Sequence, residues 1–382
     1  MQFALSEEEA LIQETARRFA ADRLAPHAEA LDRGEGRAAL LSNLRDLAQA
    51  GFCTLNAPAR YGGGEAGAVA FALSVEELGY ACASTAVTVS VTNMVAEVVA
   101  AIGTDEQKQW ALPKLADGTF AAAAFCLTES GAGSDPSAMR LSARREGGDY
   151  VLNGEKIYIT SGEYAGFFVV WAVTDPQAAR GKGISVFLVP ADTKGVLVGK
   201  AERKLGQHGS STNTILFEDA RVPASALMGR ENDGFRTAVA ELAGGRIGIA
   251  ALSLGIARAA MDKAKAYVKE RRQFGQPLAQ MQGLQWMIAD RETDMEAARL
   301  LILNAAAAKD RGENYARQAS MAKLFASEAA HRATDTAVQL FGGAGYVADA
   351  GVERHLRDAR ITRIYEGTSE IQRLVIARAT LA

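Results

Sequence analysis

RDARITRIYEGTSEIQRLVIA, residues 357–377, is the stretch from which the rest of the chain can be read. Its second half is helical in pattern. Ser369, followed three residues later by Gln372, forms a capping box, and a helix should run over 369–380. Glu366 then stands just outside that helix, beside the flexible Gly367 and at the positive end of the helix dipole, where an anion is stabilised. Taken alone, it reads as a surface acid of a first turn. Upstream, Arg354, Arg357, Arg360 and Arg363 recur every third residue. The simplest reading of that stripe is a solvated face paired with Glu353 and Asp358.

Moving back from this stretch, no proline occurs after Pro277, as long helices require. Helical periodicity predicts helices over 235–271, 279–309 and 315–340, with loops at 275–277, 311–314 and 341–346. The last loop, Phe341 to Tyr346, carries three glycines where a helix terminator needs one. The excess points to close approach of another chain or a ligand, at even odds with a plain turn. Arg246 is a lone cation among small and apolar residues, and if buried it must find a partner, structural or functional.

The middle of the chain changes character near Phe120. Tyr150–Leu152 and Glu155–Thr160, separated by Asn153-Gly154, read as a hairpin with a type I′ turn. Phe167–Val173, Ile184–Pro190 and Thr212–Glu218 read as further strands. Leu127 to Asp135, LTESGAGSD, leaves a strand and enters a loop of small residues and hydroxyls. Such a loop could admit a flat polar ligand or be an ordinary glycine-rich turn. The first third is helical. Ser6 and Glu9 open a helix expected to reach Leu24 and stop before Pro26, and Leu40, Leu41, Leu44 and Leu47 form an apolar stripe. Gly62 to Gly67 fits GxGxxG, but no strand precedes it and no acid follows at the required distance, so it reads as a surface turn. The order is helical, β, helical, with domains expected at 1–119, 120–228 and 229–382.

Composition removes other classes. With 42 Lys+Arg against 45 Asp+Glu among 382 residues, the net charge is −3, which argues against a nucleic-acid binder. Three cysteines without CxxC spacing and four scattered histidines imply neither a disulfide framework nor a metal site. The uncharged run between Glu77 and Glu97 is too rich in Ser and Thr for a membrane span. The first twenty residues hold four Glu and read neither as a signal peptide nor as a transit sequence, so a cytoplasmic, bacterial-type protein is expected.

Six segments in order, LTESGAGSD, KIYITSG at 156–162, GRIGIA at 245–250, ERRQFG at 270–275, QLFGG at 339–343 and the opening stretch, resemble the acyl-CoA dehydrogenase family of flavoproteins. The wording is most similar to its short-chain, butyryl-CoA-type members. The resemblance implies an α+β fold with an N-terminal helical domain, a β-barrel-like or sandwich middle domain and a C-terminal four-helix bundle. It implies FAD, an acyl-CoA substrate, an electron-transfer flavoprotein as acceptor, and a homotetramer built as a dimer of dimers. Phe125, Leu127, Thr128, Ser134, Ile159 and Thr160 would face the flavin. Arg271, Phe274, Gln282, Gln339, Gly342 and Gly343 would meet the nucleotide part across a subunit contact, and Thr368 and Glu370 would lie near the pyrophosphate. Ser134, Arg246 and Gly367 would touch substrate. Glu366 would be the base that removes the α-proton while the β-hydrogen leaves as hydride, its pKa raised by burial. Some members carry the base where this chain has Gly245, which cannot serve. Oxidase or monooxygenase chemistry on the same scaffold, or a non-catalytic interaction protein, is the alternative.

Overall fold

The structure is a computed structural model and describes residues 4–381, apart from the side chains of Val239 and Glu241. The chain begins with α1 (Glu7–Phe19). Its capping box is formed: Ser6 Oγ accepts from the Glu9 amide at 3.2 Å, and Glu9 Oε2 accepts from the Ser6 amide at 2.7 Å. The helical path does not end before Pro26. It widens into a π turn, Ala20–Leu24, tightens to a 3₁₀ turn, Ala25–His27, and continues as α2 (Ala28–Asp32). Pro26 sits in the first turn of that short piece, where its missing N–H is not needed. Next come α3 (Arg37–Gln49), α4 (Gly67–Ala81), α5 (Ala83–Ile102) and α6 (Asp105–Ala116). Leu40, Leu44 and Leu47 of α3 are fully buried.

Eight strands follow: β1 (Ala122–Cys126), β2 (Ser142–Glu146), β3 (Asp149–Thr160), β4 (Ala165–Val173), β5 (Ile184–Pro190), β6 (Val196–Ala201), β7 (Thr212–Pro223) and β8 (Leu227–Met228). They form one mixed sheet in the order β6-β7-β3-β2-β4-β5-β8, with β1 parallel to β4. The hairpin expected at Asn153-Gly154 is absent, because β3 runs straight through these residues. A bulge against β7 takes up the irregularity there, and Gly154 adopts φ +135° close to the Leu141 backbone. The real turn is Gly147-Gly148, between Glu146 and its partner Asp149. Alternation along β4 sends Phe167, Val169 and Trp171 into a core shared with the helices, and Phe168, Val170 and Ala172 into a second core of the sheet's own. Tyr150 on β3 meets Phe187 on β5 at 4.9 Å, although β2 and β4 lie between them in the sheet. The sheet must therefore curl around that second core.

The last part contains α7 (Gly234–Glu270), α8 (Gln282–Asp310), α9 (Ala316–Phe341), α10 (Glu353–Arg360) and α11 (Ser369–Leu381). Helix α9 packs against α7, α8 and α11, while α4 packs on both α7 and α8, so the two helical parts share one core. Helices α5 and α7 are long and apolar enough to cross a membrane, but most of each is buried within this core. The arginine stripe is not a solvated face. Arg357 forks onto Asp32, with Nη1 2.9 Å from Oδ1, and also reaches Glu353 at 3.0 Å. Arg363 binds Glu328 at 3.0 Å, and Arg354 is buried. Asp358 is buried too and accepts the Gln207 amide, so α10 is tied to the N-terminal helices and to the loop between β6 and β7.

Candidate active site

The turn between Arg363 and α11 is held in an unusual conformation. Glu366 has φ +54° and Gly367 has φ +88°, two consecutive left-handed residues. Glycine adopts that region freely, whereas a glutamate there costs roughly 1–3 kcal/mol, which the surroundings must offset. Two side chains do so. Gln372 Nε2 donates to the carbonyls of Glu366 at 3.1 Å and Gly367 at 2.9 Å, and Lys323 Nζ donates to Gly367 at 2.7 Å. The expected Ser369–Gln372 capping box is therefore not formed. Thr368 Oγ1 accepts the Ile371 amide instead, and Ser369 Oγ donates to Glu328. Gln372 is withdrawn from capping because it is needed on the turn.

The Glu366 side chain turns inward rather than to the surface. Its Oε2 is enclosed and has no hydrogen-bond partner among the described residues. It rests on the backbone of α7: a Cβ added at Gly245 would lie 2.8 Å from Oε2 and 2.7 Å from the sulfur of Met94 on α5. Burial raises its pKa to about 7, and Arg246 and Lys323 pull in the opposite direction. Burial thus outweighs the helix end that the sequence pattern placed beside it. Arg246 is 6% exposed, donates from Nη1 to Ser320 Oγ at 3.1 Å and keeps a buried Nε without a partner. The structure brings Glu366, Gly367 and Arg246 together in one enclosed place, with Lys323 as a fourth member.

The loop after β1 is built on a buried ion pair. Lys156 Nζ is 2.8 Å from Glu129 Oε1 and donates to the Leu127 carbonyl at 3.0 Å, while Glu129 also accepts the amides of Arg140 and Leu141. This pair fixes the strand end from which Thr128 and the exposed Ser134 project. Leu127 and Ile159 are buried, and the Leu127 carbonyl is taken by Lys156. Thr160 is half-buried at the end of β3. Phe125 packs at a tilt against Trp171, with ring centroids 4.2 Å apart. Tyr158, with φ +57°, presents a ring that is 64% exposed.

A second group lies at the helix ends. Tyr267 near the end of α7 stacks on Phe341 at the end of α9, with ring centroids 4.2 Å apart, which brings the C-terminal ends of the two helices together. Arg271, Gln282, Gln339, Gly342 and Gly343 are exposed, and Phe274 is 93% exposed. Thr368 is half-buried and Glu370 exposed at the start of α11. Positions 131, 133, 342 and 343 have open space where a Cβ would be. Small residues, hydroxyls and outward rings fit a large, flat, polar dinucleotide.

Lys323, Tyr158 and Met94 are the site residues that the motifs did not single out. Lys323 had a signal: it interrupts the small-residue face Ala319, Ser320, Ala322, Ala326, Ser327 at helical spacing. Tyr158 had none, since alternation along β3 assigns no ligand.

Three domain models of one family match in order: the acyl-CoA dehydrogenase N-terminal domain at residues 6–119, the middle domain at 124–220 and the C-terminal domain at 232–381. The chain belongs to the acyl-CoA dehydrogenase family, whose members are FAD-dependent oxidoreductases. Among its relatives, it is 44% identical over 378 residues to the short-chain specific acyl-CoA dehydrogenase of Clostridium acetobutylicum, covering 99% of each chain. It also superposes on butyryl-CoA dehydrogenase from Megasphaera elsdenii with a TM-score of 0.96 at 38% identity, covering all of both chains. A chain from the structure of the electron transferring flavoprotein of Acidaminococcus fermentans matches equally, with a TM-score of 0.96 at 42% identity over the whole of both chains.

Proposed function

We propose that the protein converts a short- or medium-chain acyl-CoA to the trans-2-enoyl-CoA, with Glu366 removing the α-proton. The observation that carries this reading is the Glu366 carboxylate, enclosed, unpartnered at Oε2 and held near neutrality at about pH 7. A carboxylate in water is too weak a base for a thioester α-proton, and burial raises its basicity while leaving enough ionised at neutral pH. Arg246 and Lys323 give the pocket a positive potential, which favours the negative charge that moves from the carboxylate onto the thioester as the proton transfers. The backbone N–H of Glu366 would hold the thioester carbonyl. FAD, when bound, supplies the acceptor for the β-hydride.

Phe125, Thr128, Ser134, Thr160 and the main chain at Leu127 and Ile159 would hold the flavin, and Ser134 and Gly367 would also meet substrate. Arg271, Phe274, Gln282, Gln339, Gly342 and Gly343 would take the nucleotide part of a neighbouring subunit's FAD in a homotetramer, with Thr368 and Glu370 near the pyrophosphate. Their exposure in the single chain supports that arrangement. The relatives support a short chain and an electron-transfer flavoprotein as acceptor. The test is Glu366→Gln. The variant should keep FAD and bind butyryl-CoA, yet lose anaerobic flavin reduction by about 10³-fold. A near-normal rate would remove Glu366 from the role.

A further inference from the structure

Lys323 has no role in the reading above beyond its charge. It is fully buried in the middle of α9, and its ammonium makes one hydrogen bond among the described residues, to the Gly367 carbonyl at 2.7 Å. Burying an ammonium is expensive, and a methionine would fill the same space without that cost. A neutral carbonyl is a poor return for a buried cation unless the charge is itself used. The carbonyl it grips belongs to the second of two left-handed residues, and Gln372 shares it. The charged groups that act on Lys323 are Glu366 most strongly, then Arg246 on α7, Glu328 on α9 itself and Glu370 on α11.

We propose that Lys323 is a positioning residue for the base, clamping the Glu366–Gly367 turn through the Gly367 carbonyl and placing a buried cation in the pocket that encloses the Glu366 carboxylate. The proposal rests on Glu366 being the base. Both halves have consequences. Without the clamp, only Gln372 opposes relaxation of the turn, and the carboxylate loses its fixed place beside Gly245. Without the charge, the proton is harder to remove from Glu366. Burial also brings the ammonium's own pKa down to about 7, so its charge is strongest on the acid side of neutrality.

The experiment uses the FAD-loaded enzyme and three variants, Lys323→Met, Lys323→Gln and Lys323→Arg, with Glu366→Gln alongside. Two quantities are read: the rate of anaerobic flavin reduction by butyryl-CoA from pH 5.5 to 9, and, without substrate, the titration of the carboxyl infrared band that disappears in Glu366→Gln. In Lys323→Met the Glu366 midpoint should rise by about one unit, reduction should fall about tenfold below that midpoint, and FAD content should stay at the wild-type level. Lys323→Arg should recover most of the midpoint. If Lys323→Met does not fold, Lys323→Gln carries the test, since it keeps a donor without the charge and should show the same rise. An unmoved midpoint in the neutral variants overturns the proposal. Wild-type reduction in Glu366→Gln would instead overturn the assignment of the base, so the two failures are distinguishable.

Discussion

Substituting Gly245 by alanine tests the geometry of the site with a single methyl group. The added Cβ would stand 2.8 Å from Glu366 Oε2, 3.2 Å from its Cδ and 2.7 Å from Met94 Sδ. Ordinary contact begins near 3.4 Å, so the carboxylate must retreat by about 0.6 Å and the sulfur by about 0.7 Å. One obstacle is the end of the Glu366 side chain and the other the thioether of the buried but flexible Met94, so folding should be only modestly affected. Replacing glycine within α7 gains roughly 0.5–1 kcal/mol of helix propensity, which offsets most of the repacking cost. Catalysis has no such margin, because the atom that moves is the one that takes the proton. A displacement approaching 1 Å can cost on the order of 10²-fold in rate, and about 10- to 100-fold is expected here. The assay is stopped-flow flavin reduction by butyryl-CoA, with denaturant unfolding as the control. A stable variant that reduces at the wild-type rate would show that the carboxylate does not work from its position against α7.

Other tests address separate parts of the account. Glu366 must be ionised to accept a proton and titrates near pH 7, so kcat/KM should fall about tenfold per unit below that value and level off above it; a profile flat down to pH 5 would contradict this. Lys156→Met leaves Glu129 buried with only its amide donors, and should destabilise the chain by about 3 kcal/mol in urea unfolding. A loss below about 1 kcal/mol would mean the pair is not what holds the loop. Arg271→Ala should lower FAD retention through gel filtration without affecting the Glu366 site; unchanged FAD content would refute its contact with the nucleotide.

Much of the fold was legible because its signals are local. The helices α7, α8, α9 and α11 follow from an apolar period of 3.6 and the absence of proline, and their observed ends lie within a few residues of the expected ones. What local patterns could not supply was competition from elsewhere in the chain. Asn153-Gly154 has the composition of a tight turn, yet pairing along β7 holds the strand straight and converts the glycine into a bulge. Pro26 reads as a stop, but a new turn starts on it. The arginines of α10 have the spacing of a solvated stripe, yet Arg357 pairs with Asp32, more than 300 residues away in sequence. The site shows the same division. Glu366 was recognisable from the company of its neighbours, Gly367 and the start of α11. The rise of its pKa by burial was expected from the resemblance, but the opposing pull of Arg246 and Lys323 from two other helices and the gap at Gly245 were not. Lys323 marks itself only by interrupting a small-residue face of its helix, and its partner, the Gly367 carbonyl, is set by packing.

The central claim is a flavoenzyme that takes electrons from a short acyl thioester through Glu366. The most direct measurement is the visible absorbance of the purified protein before and after anaerobic addition of butyryl-CoA. The account predicts a flavin spectrum that bleaches in the native protein and persists in Glu366→Gln. A native flavin spectrum unaffected by butyryl-CoA and by longer straight-chain acyl-CoAs would contradict it.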